Sequence, residues 1–281
     1  MKPVYINLLN MNPRKTIASS NKNSFPRTLS IASKHILLFI EIIQSMEGVS
    51  VFIPAYNEQQ ILKTNTLKLI SYLRGLGRPF EAVIVDDAST DATRDISLEL
   101  ADDIREIKYI RCDVGPTYRG NLYQILPEAE YEIIAYLDAD LSTPLRFLNP
   151  LITFLDGGYD IVVGSRHLSE SRIERGVKRR MASDLFKHFM RLYFGSEIRD
   201  HECGFKAFKK EKLLPLLKEM EYDGVLPRKM FYDAELLLRA QIKDYLIKEM
   251  PISWRESEKS AVSLWDQLLL LPYALTLRFR L

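Results

Sequence analysis

The feature that most constrains this fold is a regular alternation of short apolar runs with segments of helical period, beginning at Val49. The apolar runs have the length of buried strands and lie at residues 49–53, 82–86, 107–110, 133–137 and 161–163. Between them, segments such as 58–75 and 91–102 carry apolar residues three and four positions apart, which is the period of an amphipathic helix. Strands that alternate with helices through short connections predict an α/β fold with a doubly wound, mainly parallel sheet.

The composition agrees with one globular domain. We expect this domain at residues 47–260, where the alternating pattern lies. The chain has 281 residues, of which 47% are hydrophobic and 27% charged, as in folded proteins rather than disordered ones. Residues 1–35 are polar, so for residues 1–46 we expect either disorder or an extension that precedes a translation start at Met46. The net charge of +2 does not indicate a nucleic-acid partner.

The apolar C-terminal segment, residues 261–281, has two interpretations. Trp265, Tyr273 and the terminal arginines fit an anchor in a membrane interface. Alternatively, the segment packs on the domain as two helices separated at Pro272. No apolar run reaches the ~20 residues of a membrane-spanning helix, and two cysteines fit a reducing compartment.

Acidic residues follow the fourth apolar run directly. Asp138 and Asp140 flank one alanine, and two carboxylates at a strand end can bind a hard divalent cation such as Mg²⁺ or Mn²⁺. Such a cation stabilises the negative charge of a leaving diphosphate. Taken alone, the same residues also fit the start of a helix at Pro144.

Two further strand ends carry polar groups. Asp86 and Asp87 follow the second run, where a carboxylate accepts hydrogen bonds from a base or a ribose hydroxyl. Pro54, Tyr56 and Glu58 follow the first run, and Tyr56 is suited to stack on a base. Because ligands of doubly wound sheets bind at the carboxyl ends of the strands, these groups are expected at one site.

The order and spacing of these motifs resemble the inverting glycosyltransferases with the GT-A fold. The segments that carry the resemblance are Val-Ser-Val-Phe-Ile-Pro-Ala-Tyr-Asn-Glu at 49–58, Val-Asp-Asp-Ala-Ser-Thr-Asp at 85–91 and Leu-Asp-Ala-Asp-Leu-Ser-Thr-Pro at 137–144. Three more segments narrow it to enzymes similar to dolichyl-phosphate glucose and mannose synthases: Val-Gly-Ser-Arg at 163–166, Arg179-Arg180-x-x-Ser183 and Glu-Cys-Gly-Phe-Lys at 202–206.

The resemblance implies a role for each matching residue. The nucleotide-binding residues it implies are Pro54, Tyr56, Glu58, Asp86, Asp87, Arg119 and Asp138. Asp138 and Asp140 would hold the metal, with Asp138 at the ribose and diphosphate. Arg166, Arg179 and Ser183 would bind the lipid phosphate, and Arg166 would also serve catalysis. The implied partners are a nucleotide-sugar, a polyprenyl phosphate and the cytoplasmic face of a membrane, where the enzyme would be peripheral.

Two departures from the family pattern bear on the donor. Ser142 stands where mannose synthases have a metal-supporting Gln, which favours UDP-glucose as donor, with GDP-mannose next. Arg119 stands in a loop where many relatives have a lysine, in an Asn-x-Gly-Lys-Gly segment.

Asp233 separates two acceptor classes. An acid at this position serves as a base in relatives with hydroxyl acceptors, whereas a phosphate acceptor, with a second pKa near 6, needs none. Asp233 is therefore predicted to be either orienting or structural, and an essential Asp233 would favour transfer to a glycan hydroxyl. A nucleotide-sugar-binding protein without transferase activity is the other alternative. His167, His188 and His201 show no metal-ligand spacing.

Overall fold

The computed structural model describes residues 47–117, 119–174, 176–220, 228, 231–255 and 271–281. Predictions for residues 1–46, for Trp265 and for the side chain of Arg179 lie outside the described residues.

Seven of the described strands form one twisted-sheet layer in the order β3-β2-β1-β4-β7-β5-β8. Their bounds are β1 Val49–Ala55, β2 Phe80–Asp87, β3 Ile107–Cys112, β4 Ile133–Leu137, β5 Ile161–Ser165, β7 Phe205–Lys209 and β8 Ile247–Pro251. All neighbours pair in parallel except β7, which runs antiparallel to both β4 and β5. Two short strands, β6 Arg172–Glu174 and β9 Ser253–Arg255, pair with each other outside this sheet.

Helices cover both faces of the sheet. The described α-helices are α1 Leu62–Arg74, α2 Thr93–Asp103, α3 Gly120–Ile125, α4 Leu148–Asp156, α5 Val177–Phe194, α6 Lys210–Glu219, α7 Tyr232–Ile242 and α8 Leu271–Leu277. Helices α1, α2 and α4 bury their apolar residues in one core with one face of the strands. Helices α3, α6 and α7 form the core on the opposite face. The predicted doubly wound α/β sheet is confirmed.

Strand β7 is the main element that the sequence pattern did not predict. Residues 200–206 read as a polar segment, but β7 begins at Phe205 and inserts between β4 and β5. Its polar residue Lys206 is 1% exposed, so a buried ammonium interrupts the apolar pattern that would mark a strand. Residues 245–254 have the pattern of a single strand, but they form most of two strands, β8 and β9, which belong to different sheets.

The end of the chain packs against the domain. Tyr273, Ala274 and Leu277 of α8 are buried with Met190 of α5 and Leu238 of α7. The hydroxyl of Tyr273 donates to Glu235 and accepts from Arg228 Nε at 2.7 Å. Residues 271–281 thus pack on the domain with one helix, which begins at Leu271 and includes Pro272, so the chain is not divided into two helices at this proline. The rest of the apolar segment, residues 261–270, lies outside the described residues. Among the described helices, none combines the length and the apolar character needed to cross a bilayer.

Candidate active site

The strand order brings the three predicted motifs to one edge of the sheet. Strand β1 lies between β2 and β4, so the chain leaves β1 in one direction for β2 and later returns to its other side with β4. Such a reversal of strand order opens a crevice at the carboxyl ends of the strands. The segments 54–58, 86–91 and 138–143 follow these three strands and border that crevice.

Asn57 joins the loop after β1 to the loop after β2. It has a positive φ of 56°, which asparagine tolerates better than most residues. Its backbone N–H donates to Ser89 Oγ at 3.0 Å, and its Oδ1 accepts from the Thr90 N–H at 2.8 Å. Ser89 and Thr90 therefore fasten two loops together rather than capping α2. Tyr56, beside this junction, has a side chain free to contact a ligand because the residue is 41% exposed.

Asp86 is fully buried and its carboxylate is used within the protein. It accepts hydrogen bonds from the Ser89 N–H at 2.8 Å, Tyr109 Oη at 2.8 Å and Arg111 Nη1 at 2.9 Å. Burial, and then the hydrogen bond to Asp86, raise the pKa of Tyr109 to about 12, so the phenol stays a donor. The arrangement fixes the floor of the crevice.

Asp87 organises the loop that carries Arg119. One of its oxygens accepts from the Thr117 N–H at 2.8 Å, and the other accepts from Asn121 Nδ2. Asn121 also donates to the Val114 carbonyl at 2.7 Å. Asn121, which the sequence analysis did not single out, is thus part of the site through Asp87.

Asp138 is held from two sides. Arg119 Nη2 donates to its Oδ1 at 2.8 Å, and the Asp138 side chain is 38% exposed. A Cβ atom on Gly204 would overlap the Asp138 carboxylate, so only glycine permits this approach. The glycine of the Glu-Cys-Gly-Phe-Lys segment therefore has a steric reason to face Asp138.

Asp140 lies in a tight turn after β4. Its Oδ1 accepts from the Ser142 N–H at 2.9 Å, and the Leu141 N–H donates to the Asp138 carbonyl at 3.0 Å. Leu141 takes the left-handed conformation, with φ 52°, that this turn needs. Within the described residues, Asp140 Oδ2 makes no hydrogen bond to the protein.

The donor set of this turn fits a hard divalent cation. Carboxylate oxygens are the ligands that Mg²⁺ and Mn²⁺ favour, and Asp140 and Asp138 present them at a partly exposed strand end. No group of three or more His, Cys, Asp or Glu ligands occurs in the described part of the chain. A cation held here would therefore complete its shell with water and ligand phosphates, as magnesium commonly does.

Arg119 extends from Asp138 to a buried cluster around Asp233. Asp233 is 3% exposed, and its carboxylate accepts from the hydroxyls of Tyr123, at 2.7 Å, and Tyr136. Arg119 Nε lies 3.5 Å from Asp233 Oδ2, and Lys206 Nζ lies 3.6 Å from Oδ1.

Arg166, the predicted phosphate ligand, is in a buried ion pair. Its Nε and Nη2 each donate to Asp200 at 2.8 Å, and its side chain is only 9% exposed. Burial opposes charge on Asp200, but the Arg166 guanidinium outweighs it and holds the pKa of Asp200 well below its usual range. Arg166 also stacks over Trp254, with its Cζ 5.5 Å from the ring centroid.

Ser183 is bonded to a histidine that the sequence analysis set aside. His167 Nε2 and Ser183 Oγ are 3.0 Å apart, and His167 Nδ1 lies 3.4 Å from Asp184. Burial lowers the pKa of His167, so the ring is neutral near pH 7. The structure thus brings Ser183 to His167, the residue that follows Arg166 in the chain. Spacing along the chain contained no signal for this contact.

Comparison with known proteins gives consistent results. The model of the family described as glycosyl transferase family 2 matches residues 50–216. The chain is 31% identical, over 77% of its length and 34% of the relative, to the glycosyltransferase AglD of Haloferax volcanii. It is 28% identical, over 77% of its length and 69% of the relative, to a dolichyl-phosphate beta-glucosyltransferase of Saccharomyces cerevisiae.

The chain is also similar to an archaeal mannosyltransferase in sequence and to a solved bacterial glucosyltransferase in fold. A dolichol-phosphate mannosyltransferase of Pyrococcus furiosus is 31% identical over 58% of this chain and 46% of that protein. A glucosyl-3-phosphoglycerate synthase from Mycobacterium tuberculosis, solved with Mn²⁺, uridine diphosphate and glucosyl-3-phosphoglycerate, covers 92% of this chain and 86% of its own. With a TM-score of 0.60 at 18% identity, it supports the fold. The chain spans 34% and 56% of the lengths of two curated relatives, AglD and a Pectobacterium atrosepticum undecaprenyl-phosphate sugar transferase.

Proposed function

Because the chain belongs to glycosyl transferase family 2, we propose that it transfers a hexose from a nucleotide-sugar to a polyprenyl phosphate. The transfer is a single in-line displacement with inversion at the anomeric carbon. The lipid phosphate is the nucleophile, and the nucleoside diphosphate is the leaving group. The observation that carries the proposal is the turn at the end of β4, where Asp138 is partly exposed and Asp140 Oδ2 makes no hydrogen bond to the described residues.

The donor lies across the ends of β1, β2 and β4. Tyr56 offers an exposed ring for the base, and Asp86 and Asp87 keep the two neighbouring loops in place. Pro54 and Glu58 complete the nucleotide side, with the Glu58 N–H bonded to Thr93 Oγ1 at 2.8 Å. The fixed loops reduce the entropic cost of ordering the donor.

Asp138 and Asp140 are the metal ligands in this proposal, and Arg119 is the cation that stands beside the diphosphate. A bound Mg²⁺ or Mn²⁺ would supply Lewis-acid stabilisation of the charge that develops on the leaving diphosphate. Arg119 adds a second positive charge at the same place, since its guanidinium already contacts Asp138 at 2.8 Å.

The acceptor phosphate lies on the side of Arg166, Arg179 and Ser183. Arg166 is aligned by Asp200, which fixes the direction of its remaining N–H groups. His167, the next residue in the chain, is hydrogen-bonded to Ser183, and both side chains can take part in hydrogen bonds to phosphate oxygens. A phosphate needs no proton removed, which agrees with the burial of Asp233 away from solvent.

The membrane surface is the proposed location of the acceptor, with the protein peripheral on the cytoplasmic face. Helix α5 exposes Met181, Leu185 and Leu192 on one side, at 67%, 71% and 85%. Exposed large apolar side chains along one helix face fit insertion into a lipid interface. Phe279, 89% exposed after α8, extends the apolar surface near the arginines of the C-terminus.

UDP-glucose is the proposed donor, with GDP-mannose second. Ser142 in the Leu-Ser-Thr-Pro segment favours it, and similarity to a dolichyl-phosphate beta-glucosyltransferase supports it. The mannosyltransferase relative is the reason to keep GDP-mannose in the test.

A donor screen tests the proposal. The protein is incubated with UDP-glucose or GDP-mannose and either a short polyprenyl phosphate or a glycan acceptor, with Mg²⁺, Mn²⁺ or excess EDTA. Both products are measured by mass spectrometry. We expect glucosyl lipid with UDP-glucose and metal, and none with EDTA. Transfer only to a glycan hydroxyl, or donor binding without any product, would contradict the proposal and identify one of the two alternatives.

A further inference from the structure

A single arginine connects the carboxylate at the end of β4 with a carboxylate buried in the core. The planar guanidinium of Arg119 has Nη2 at 2.8 Å from Asp138 Oδ1 and Nε at 3.5 Å from Asp233 Oδ2. Because the guanidinium group is rigid and planar, holding Nε near Asp233 determines the direction of the Nη2 N–H groups. The Arg119 Cζ also lies 5.4 Å from the centroid of the Tyr136 ring, which restricts its plane further.

The carboxylate of Asp233 is poorly accessible to a substrate. It is 3% exposed at the first turn of α7, and Tyr123 and Tyr136 both donate to its Oδ1. Its Oδ2 faces Arg119. A general base must come within hydrogen-bond reach of the proton it removes. Here Oδ1 is occupied by two tyrosine hydroxyls, and Oδ2 forms an ion pair with Arg119.

The charges around Asp233 explain why the carboxylate stays ionised. Burial alone would favour its protonated form, but Lys206 and then Arg119 lower the pKa of Asp233. The Lys206 ammonium, whose side chain is fully buried, donates to the Cys203 carbonyl and lies 3.6 Å from Asp233. Without Asp233, two buried cations would face each other across Tyr136 without this counter-charge.

We propose that Asp233 is a positioning residue that sets the orientation of Arg119 and, through Arg119, of the Asp138 carboxylate at the donor site. The inference rests on the proposed function only in taking the end of β4 as the donor site. In this role Asp233 is not a general base, and it does more than stabilise helix α7.

A double-mutant cycle tests the proposal. Asp233→Asn, Arg119→Lys and the double variant are compared with the wild type, and the dissociation constant of UDP with Mn²⁺ is measured by calorimetry without acceptor. Each single variant is expected to weaken binding about 10- to 100-fold, as losses of outer-shell partners do. The double variant should have a UDP dissociation constant no higher than that of the single variant with the higher value. The reason is that both substitutions break the same contact between Asp233 and Arg119.

Glu235→Gln is the matched control. Glu235 lies on the same helix, is fully buried, and also pairs with two arginines and a tyrosine hydroxyl. It has no contact with Arg119 among the described interactions. Its substitution should lower the free energy of unfolding but leave UDP binding within about two-fold of the wild type.

Three outcomes would overturn the proposal. Losses of UDP binding that add in the double variant would show that Asp233 does not act through Arg119. Wild-type UDP binding by Asp233→Asn, with lost turnover and a lost acidic limb of the pH–rate profile, would make it a general base. An equal loss of UDP binding in Glu235→Gln would make the effect one of general stability.

Two variants replace Asp233→Asn if it does not fold. Tyr123→Phe and Tyr136→Phe each remove one hydroxyl from Asp233 Oδ1 and keep every charge. We expect each to weaken UDP binding about three- to ten-fold, which is less than the more than ten-fold effect of losing a direct hydrogen bond to a charged group, because these hydroxyls act on UDP only through Asp233 and Arg119. Unchanged binding in both would also contradict the proposal. Because the cycle needs no acceptor, a wild type that transfers no sugar to lipid would contradict the proposed function and leave this test interpretable.

Discussion

Asp138 and Asp140 differ in what surrounds them, although they are only two residues apart. Asp138 is paired with Arg119, whereas one oxygen of Asp140 is used by the turn and the other makes no protein hydrogen bond within the described residues. Asp140 is therefore the residue whose carboxylate is most available to a cation.

Asp140→Ala is expected to lower kcat at least about a hundred-fold, because the charge of the leaving diphosphate loses its stabilisation. The measurement is the rate of sugar transfer with excess Mn²⁺, together with circular dichroism to verify the fold. Asp102→Ala, at an exposed position of α2, is the control and should keep the wild-type rate. Turnover by Asp140→Ala in the presence of EDTA would refute metal dependence.

His201 gives the stability a predictable dependence on pH. The side chain is buried, its Nε2 lies 2.8 Å from Ser196 Oγ, and its Nδ1 has no partner in the described structure. Burial lowers the pKa of His201 to about 4, against an ordinary value of 6.5. Between these two values the unfolded chain binds the proton and the folded protein does not, so stability falls as the pH falls.

We expect the contribution of His201 to the free energy of unfolding to decrease by about 2 kcal/mol between pH 7.5 and about 4.5. Urea unfolding at these two pH values measures the change. His201→Gln, which cannot titrate, should reduce the difference by that amount. An equal pH dependence in both proteins would show that other groups cause it.

At the scale of elements, helix α5 is amphipathic with an unusual outer face. Its inner side packs Met190 against α7 and α8, while Met181, Leu185 and Leu192 remain exposed. The helix ends at Gly195, whose φ of 69° suits glycine at a helix terminus. An apolar face with no protein partner in the described structure is the element that the proposed membrane contact requires.

Replacing Leu185 and Leu192 by serine is expected to weaken liposome binding about ten-fold or more per leucine, because each loses the transfer free energy of a buried side chain. Flotation with liposomes that contain anionic lipid measures the bound fraction. Ile242→Ser with Leu246→Ser is the matched control, since both residues are exposed, at 56% and 60%, outside α5. Equal flotation of all three proteins would remove the membrane contact from the proposal.

For the whole molecule, the strand order decides where the site is. The reversal between β1 and β4 places the ends of β1, β2 and β4 together, and the antiparallel β7 brings Gly204 and Lys206 to the same region. Donor and metal would then contact loops from three strands at once. Binding to such a site should stabilise the entire domain rather than one loop.

UDP with Mn²⁺ at about a hundred times its dissociation constant is expected to raise the thermal midpoint by about 5 °C or more. Scanning calorimetry with UDP alone, Mn²⁺ alone and both measures the effect. Asp140→Ala should lose the part of the shift that needs the metal. A rise of equal size with UDP alone would show that the nucleotide binds without a cation.

The sequence by itself determined the alternation of strands and helices and the three acidic or polar strand ends. These are local properties, because a buried run of four to eight apolar residues and a helical period can be recognised without distant contacts. The expectation that Asp138, Asp140, Asp86 and Asp87 lie near one edge of the sheet followed from the rule for doubly wound sheets. The order and spacing of the motifs were sufficient to identify the glycosyltransferase family.

Only the tertiary structure decided how the charged residues are paired. Arg119 with Asp233, Lys206 with Asp233 and Arg166 with Asp200 join residues from different elements. Strand β7 escaped prediction for the same reason, since its buried lysine is tolerated only where a carboxylate from α7 faces it. The energy of a buried charge depends on its neighbours in space, and the sequence order does not specify them.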